Sequence, residues 1–150
     1  MTPPVGTSAM SKPIPPDFAP RRALLCQQRQ IGDVLLATPL VRMLKDRYPG
    51  VEVDFFTETK CADVLKDNPD ISRLWVADKS LSFWATLRFY RQMRQQSYDL
   101  VVNCQQLPRC KAVTLFTWAP YRLALRPKWY NRFLRSEEHT SELQSRFGIS

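Results

Sequence analysis

An acidic residue, Asp33, follows a glycine in the stretch QIGDVLLATPL (residues 30–40), where an apolar run gives way to a helical pattern. In many α/β proteins this kind of turn binds a phosphate, because the first amides of the helix are unpaired and its dipole favours an anion. A carboxylate would repel phosphate. The sequence therefore predicts that the turn serves another purpose, and a helix cap is the structural alternative for Asp33.

A second polar stretch, residues 105–109, follows the most clearly buried apolar run of the chain, residues 99–105. If both runs are parallel strands, Gly32 and Asp33 lie at the carboxyl end of one, and Gln105 and Arg109 at the carboxyl end of the other. Ligands of open α/β sheets bind at such ends. Neither GxGxxG nor GxxxxGK[ST] occurs, so a dinucleotide fingerprint and a P-loop lack their glycines.

The elements that must position these residues alternate between strand and helix patterns. The predicted strands are residues 22–27, 51–57, 71–78, 99–105 and 121–125, and the later predicted helices are residues 60–66, 82–96 and 111–118. About five alternations predict an α/β fold, a parallel sheet with helices on both faces.

Two starts are open for the first helix. It begins at Asp33 and kinks at Pro39, or Thr38 caps it and Pro39 lies in its first turn. Ser82 is the predicted cap of the helix over residues 82–96.

The two ends of the chain differ in amino-acid composition from the middle. Residues 1–20 hold six of the twelve prolines and lack the apolar run of a secretory signal, so they are predicted to be a disordered lead-in. The string RSEEHTSELQS (residues 135–145) resembles the in-frame translation of a sequencing-library adapter. Residues 135–150 are therefore predicted to be a non-native tail, which leaves His139 without a function and residues 21–134 as the domain.

The four cysteines (Cys26, Cys61, Cys104 and Cys110) form no CxxC pair. A reduced, cytoplasmic protein is therefore favoured over a zinc or disulfide protein. The net charge of +8 indicates an anionic partner. Nucleic acid is disfavoured because no recognised motif accompanies the charge. Basic and aromatic side chains favour either a solvated surface with packed rings or a patch that attracts an anionic membrane. They are Arg88, Arg91, Arg94, Arg122, Lys128, Trp129, Tyr130 and Arg132.

Several short motifs, in order and spacing, resemble glycosyltransferase family 9, the ADP-heptose:lipopolysaccharide heptosyltransferases. They are IGDVLL (residues 31–36), TPL (38–40), YP (48–49), NP (68–69), YDLVVN (98–103) and Gln105. The resemblance covers about residues 22–134. Residues 81–103 look most like the heptosyltransferase III group.

This resemblance implies a Rossmann-like domain that forms the N-terminal half of a GT-B fold, on the side that holds the lipid-linked acceptor. It implies that Asp33 is the catalytic base of an inverting transfer from ADP-heptose to the lipopolysaccharide inner core. Gly32, Gln105 and Arg109 are the implied acceptor-binding residues. For Arg109 two interpretations stay open, a contact to a phosphate or carboxylate and an exposed surface arginine. No protein-bound metal and no cofactor beyond the donor substrate are implied.

The resemblance also implies that the donor domain is missing from these residues, so that the chain is inactive alone. The implied partners are a lipid-linked lipopolysaccharide core acceptor and, peripherally, the anionic inner face of the inner membrane. The alternative is a self-contained, non-catalytic α/β ligand-binding module.

Overall fold

The computed structural model describes residues 12–105 and 107–124, and within them a strand–helix alternation runs from end to end. The strands are β1 (Arg22–Cys26), β2 (Glu52–Glu58), β3 (Arg73–Ala77), β4 (Leu100–Asn103) and β5 (Tyr121–Ala124). The helices are α1 (Ile31–Arg47), α2 (Thr59–Ala62), α3 (Phe83–Gln95) and α4 (Pro108–Phe116). Each predicted strand is present, while α2 is shorter than predicted and α4 begins three residues earlier, with Pro108 in its first turn.

The sheet is parallel throughout, in the order β3-β2-β1-β4-β5. The predicted α/β, Rossmann-like fold is therefore confirmed. The chain builds outward from β1 through β2 to β3, then returns to the other side of β1 to add β4 and β5. The direction of winding thus reverses between β1 and β4, and in open α/β sheets the crevice at this reversal is where ligands bind.

Helices cover both faces because the strands are apolar on both sides. On one face, α1 contributes Val34, Ala37 and Val41 to a core built on β1, β2 and β4. On the other face, Met93 of α3 and Val113 of α4 complete a second core. The two cores fix α1 on one side of the β1–β4 crevice and α4 on the other.

Helix α1 runs through Pro39 without ending there. A proline lacks the N–H that would bond to the carbonyl four residues earlier, which here belongs to Leu35. The Thr38 hydroxyl donates to that carbonyl at 2.7 Å. Thr38 thus lies inside the helix and supplies the donor that Pro39 lacks. The predicted alternative of a helix capped by Thr38 is wrong.

The chain packs on the domain before the predicted boundary at residue 21. Phe18 lies 4.4 Å from the ring of Tyr121 and 5.9 Å from the ring of Tyr48, centroid to centroid. Ile14 packs on the same core. These contacts are at odds with a disordered lead-in as far as residue 20, because an aromatic side chain that buries its ring anchors the backbone that carries it.

Residues 1–11 and 125–150 lie outside the described residues, and with them the predicted tail, His139, and the basic and aromatic residues from Lys128 to Arg132. All four cysteines are free. No helix in the described part of the chain is long and apolar enough to cross a membrane.

Candidate active site

Asp33 lies in the first turn of α1, at the carboxyl edge of the sheet, and its side chain is half-buried. The N-cap of the helix is Gln30, so Asp33 is the third helical residue and the predicted alternative of an N-cap is wrong. A carboxylate in the first turn interacts favourably with the helix dipole. The position leaves Asp33 at the mouth of the β1–β4 crevice.

Gln105 holds the loop that leads into this helix. Its side-chain oxygen accepts hydrogen bonds from the backbone N–H groups of Gln28 at 3.1 Å and Arg29 at 3.0 Å. One side chain from the β4–α4 loop thus fixes two consecutive amides of the β1–α1 loop. The structure therefore connects Gln105 with the stretch that carries Gly32 and Asp33, as the prediction of a shared edge requires.

Asn103 positions Gln105 in turn. The Asn103 side chain is buried at the end of β4, and its oxygen accepts from the Gln105 backbone N–H at 3.1 Å. Such a local bond folds the chain back on itself directly after the strand. We call Asn103, Gln105 and the two amides they hold, those of Gln28 and Arg29, the loop clamp.

The loop clamp holds a backbone that a free chain would avoid. Gln30, the N-cap of α1, has φ 64° and ψ 115°. For a residue other than glycine, a positive φ of this kind costs on the order of 1–3 kcal/mol and persists only where the surroundings enforce it. Buried Gln28 contributes further, because its carbonyl accepts from Glu58 and its side-chain oxygen accepts from the Cys110 thiol.

Gly32 is exposed beside Asp33, and a Cβ placed on it would meet nothing within 4 Å. Neither a positive φ nor a close approach within the fold requires glycine here. A side chain at this position would instead extend from the first turn of α1 into the open space in front of it. The bare backbone at Gly32 is therefore available to a ligand.

Arg109 lies in the first turn of α4, half-buried, on the side of the edge nearer to α3. Hydrogen bonds from the backbone and hydroxyl of Ser80 hold the pKa of Asp78 below its ordinary value, and the Arg109 charge adds to this effect. Burial raises the pKa of the Tyr90 hydroxyl, and the charge of the same guanidinium opposes that rise. The Arg109 charge thus lies within electrostatic range of Asp78 and Tyr90, and Arg109 is not part of the loop clamp.

Glu58 is a functional candidate that the sequence did not reveal. It is buried at the end of β2 and pairs with the ammonium group of Lys79. The hydrogen bond and charge of Lys79, aided by the charges of Arg29 and Lys60, lower the pKa of this carboxyl against the effect of burial. The carboxyl edge thus carries a second carboxylate surrounded by cations, next to the loop that carries Asp33.

The described residues contain no group of three or more His, Cys, Asp or Glu side chains placed to hold a metal ion. Burial is the main cause of a raised pKa at three thiols. The pKa of Cys26 lies well above its ordinary value, and those of Cys104 and Cys110 are raised to about 12. They remain protonated near neutral pH and behave as small apolar side chains.

No family model matches the chain. The chain is 30% identical over 80 residues to lipopolysaccharide heptosyltransferase 3 of Escherichia coli K12, a match that covers 50% of this chain and 23% of that protein. Among solved structures it is similar to a family 9 glycosyltransferase from Veillonella parvula, with a TM-score of 0.62, 24% identity, and coverage of 68% of this chain and 31% of that one. It is also similar to E. coli ADP-heptose lipopolysaccharide heptosyltransferase II, with a TM-score of 0.58, 21% identity, and coverage of 67% and 29%.

These matches confirm the resemblance to the heptosyltransferases of glycosyltransferase family 9 that the sequence motifs indicated. The structural matches extend the likeness to the fold of the sheet and its helices. The stretch matched in heptosyltransferase 3 is less than a quarter of the length of that relative.

Proposed function

We propose that residues 22–124 form the acceptor-side domain of a glycosyltransferase that transfers heptose from ADP-heptose to the inner core of lipopolysaccharide. The observation that carries the proposal is the place of Asp33, in the first turn of α1 at the sheet's ligand-binding edge. The likeness to proteins named lipopolysaccharide heptosyltransferases supplies the substrate class.

In the proposed reaction, a hydroxyl oxygen of the acceptor attacks the anomeric carbon of the donor. The bond between that carbon and the phosphate oxygen breaks, ADP leaves with the electron pair, and the configuration inverts. Asp33 takes the hydroxyl proton as the new bond forms, which is general-base catalysis. The reaction as proposed uses no protein-bound metal.

The other residues of the edge divide the remaining work. The loop clamp sets the position of the turn that carries Asp33, because Gln105 fixes two amides just before it. Gly32 gives the acceptor a surface without a side chain. Arg109 offers a cation to a phosphate or carboxylate of the acceptor, at the α3 side of the same edge. The contacts to the donor belong to a second domain, as the resemblance implies.

The experiment is a binding titration of the chain with a soluble lipopolysaccharide-core oligosaccharide and, separately, with ADP-heptose. We expect the oligosaccharide to bind and ADP-heptose to bind at least tenfold more weakly. Gly32→Ala provides the matched variant, since the added methyl meets nothing in the fold and alanine favours a helix over glycine by up to about 1 kcal/mol. We expect Gly32→Ala to raise or keep the melting temperature while it weakens oligosaccharide binding.

Two outcomes contradict the proposal. Binding of ADP-heptose alone, with no affinity for the oligosaccharide, would place the domain on the donor side. Binding of an unrelated neutral sugar as strongly as the core oligosaccharide would favour the alternative, a non-catalytic α/β module.

A further inference from the structure

Helices α3 and α4 pack on the same face of the sheet and leave a groove between them. This α3–α4 groove has a volume of about 630 Å³ and is lined by Leu87, Tyr90, Arg91, Arg94, Gln95 and Phe116. We propose that the α3–α4 groove binds an amphipathic α-helix of a partner protein, one that carries acidic residues beside its apolar seam.

The floor of the groove is apolar and open to solvent. The rings of Tyr90 on α3 and Phe116 on α4 stack with their centres 5.2 Å apart and their planes 13° apart. Leu87, one turn before Tyr90, is 40% exposed, and Phe116 is 43% exposed. Contiguous apolar side chains that remain in water in this way mark an interaction surface.

The shape of the groove fits a helix. Phe83, Leu87, Tyr90 and Arg94 follow one another at spacings of four, three and four residues, so they lie along one side of α3. Phe83, at the start of this strip, is 73% exposed. The strip is about 16 Å long, which is about three turns of a helix laid along it. Side chains that project from one face of such a helix reach the floor of a groove, as in other helix-in-groove complexes.

The charge of the groove selects an acidic partner. Arg91 and Arg94 line it, and Arg88 is exposed one turn earlier on α3. Neither α3 nor α4 contains an acidic residue that could neutralise these charges. A guanidinium binds a carboxylate through two parallel hydrogen bonds, so glutamates beside the seam of a docked helix would pair with the arginines. A basic helix would be repelled.

Trp118 extends this surface past the end of α4. Its φ is 52°, in the left-handed region that a bulky residue avoids, and its neighbour Ala119 is buried. The chain thus turns back into the core while the indole stays 72% exposed. The Arg94 guanidinium lies 4.6 Å from the centre of the indole ring. Tryptophan, tyrosine and arginine together are the composition typical of protein interfaces.

The remaining residues of this chain offer no native acidic segment for the groove. Residues 1–11 contain no charged side chain, and residues 125–134 carry three basic residues and no acidic one. The glutamates of residues 135–150 belong to the tail predicted to be non-native. A second protein is therefore the source of the helix. The docking does not rest on the proposed transferase function, because it uses neither the loop clamp nor Asp33.

The experiment measures, by fluorescence anisotropy, the binding of a synthetic helical peptide to the purified 150-residue chain. The peptide has about 14 residues, with leucines at i, i+3, i+4 and i+7 and glutamates on both sides of the leucine seam. A side-chain staple keeps it helical, because a free helix of this length is marginal in water. One control peptide has the same composition in scrambled order, and a second has lysine in place of glutamate. We expect each control peptide to bind at least tenfold more weakly.

Variants of the chain locate the binding. R91Q/R94Q removes two charges from the groove, and the matched control K12Q/R47Q removes two exposed charges outside α3 and α4. We expect R91Q/R94Q to bind the acidic peptide at least fivefold more weakly and the control to stay within about twofold of the parent chain. Leu87→Ala tests the floor, with Met43→Ala, at an exposed apolar residue of α1, as its control. We expect Leu87→Ala to bind at least threefold more weakly and Met43→Ala to bind unchanged.

Several results would overturn the proposal. If the scrambled peptide binds as tightly as the acidic helical peptide, net charge explains the binding and the groove does not recognise a helix. Absence of binding by the acidic helical peptide to the parent chain would overturn the proposal as well. Self-association of the parent chain that R91Q/R94Q abolishes would assign the groove to a second copy of this chain.

The same variants separate the docking from the proposed function. Each is also measured for binding of the core oligosaccharide, which is proposed to use the edge at Gly32 and Asp33. If the parent chain binds the oligosaccharide and not the peptide, the docking alone is wrong. If it binds the peptide and not the oligosaccharide, the proposed function fails alone. Loss of oligosaccharide binding in R91Q/R94Q, without peptide binding by the parent chain, would make the groove a saccharide site.

Discussion

Two clusters of hydrogen-bonded polar groups in the described residues differ in what they hold in place. In the first, the Trp75 indole N–H donates to the Tyr98 hydroxyl at 2.7 Å, and that hydroxyl donates to Asp54 at 2.5 Å. We call these three residues the buried triad. In the second, the loop clamp, Asn103 and Gln105 hold two backbone amides of the β1–α1 loop.

The buried triad joins parts of the domain that are already fixed. Asp54 and Trp75 lie on neighbouring strands, and Tyr98 directly precedes the turn into β4. Burial and the hydrogen bond to Asp54 raise the pKa of Tyr98 well above its ordinary value, so the hydroxyl remains a donor. A buried chain of hydrogen bonds of this kind specifies how the core packs.

The loop clamp instead lies at the sheet edge, where the Gln105 side chain is half-buried and the backbone at Gln30 is strained. Its hydrogen bonds hold the backbone amides of Gln28 and Arg29, and the next residue, Gln30, has a positive φ. Strain of this kind is costly for stability and is useful where a reactive group must keep one position. We infer that the triad stabilises the fold and that the clamp positions the proposed site. Changes at Asp33, Tyr98 and Gln105 test that division, and a fourth change, at Glu58, tests the charges at the same sheet edge.

The largest effect is expected at Asp33, in an active transferase that contains this segment. Asp33→Asn keeps the size of the side chain and removes the proposed base, so turnover should fall by about 10²–10⁴-fold, the usual contribution of general-base catalysis. Loss of the charge near the helix dipole should cost only about 0.3–1 kcal/mol of stability. Steady-state kinetics and thermal unfolding measure the two effects.

Asp33→Glu is the control, since it keeps a carboxylate but moves it by one methylene. We expect it to retain more turnover than Asp33→Asn. Turnover of Asp33→Asn within threefold of the parent enzyme would show that Asp33 is not the base.

The next effect concerns the buried triad. Tyr98→Phe leaves the Asp54 carboxylate and the Trp75 N–H without this partner, and unpaired buried groups of this type cost about 1–3 kcal/mol. For a domain of this size the melting temperature should fall by roughly 4–8 °C per kcal/mol. Below that temperature, binding of the core oligosaccharide should be unchanged.

Tyr48→Phe, at a half-buried tyrosine outside the triad, is the control and should shift the melting temperature less. If Tyr98→Phe weakens oligosaccharide binding as much as it lowers stability, the triad and the site are coupled and the proposed division is wrong.

The same comparison shows what the sequence could and could not predict. The alternation of apolar runs with helical patterns predicts five strands that all run in the same direction, because strands buried on both faces are apolar throughout. The order of the strands was not predicted. The position of Asp33 follows from its place after β1. Asp54, an acid within the apolar stretch VEVDFF, signals a buried polar contact, but its partner Tyr98 lies 44 residues away.

Other features depend on geometry that a pattern does not carry. The loop clamp needs the register that brings the ends of β1 and β4 together, so Gln105 could be predicted to lie at the edge but not to bind two amides. The packing of Phe18 on the domain could not be predicted, because the prolines around it are typical of a disordered segment. Arg109 was predicted at the site from its place after β4, and only the packing of α4 shows that its charge acts on Asp78 and Tyr90.

A smaller effect is expected when the loop clamp is released. Gln105→Ala removes the acceptor for the Gln28 and Arg29 amides, and net hydrogen bonds of this kind are worth about 0.5–1.5 kcal/mol each. Water partly replaces the acceptor because Gln105 is half-buried, so the stability loss should be about 1 kcal/mol. Amide hydrogen exchange should show faster exchange at Gln28 and Arg29, while amides inside β2 remain protected.

Gln105→Glu is the matched control, since a carboxylate oxygen can accept the same two hydrogen bonds. We expect it to retain the protection of both amides. Unchanged exchange at Gln28 and Arg29 in Gln105→Ala would show that the loop keeps its shape without the clamp.

The smallest effect is expected at Glu58, and it depends on pH. Because Lys79 lowers the pKa of this carboxyl below the ordinary value of 4.5, the folded state favours the charged form more than the unfolded state does. The resulting stabilisation is present above pH 4.5 and is lost as the pH falls through the lower, folded-state pKa. Lys79 is 55% exposed, so solvent screening limits the pair to less than about 1 kcal/mol.

Urea unfolding of the parent chain and Glu58→Gln at pH 6 and pH 3.5 measures the difference. We expect the gap in unfolding free energy between the two proteins to shrink at the lower pH, and Lys79→Gln to show the same trend. If the gap widens on acidification, the folded-state pKa of Glu58 is raised and not lowered. The cations at the sheet edge then do not stabilise its carboxylate.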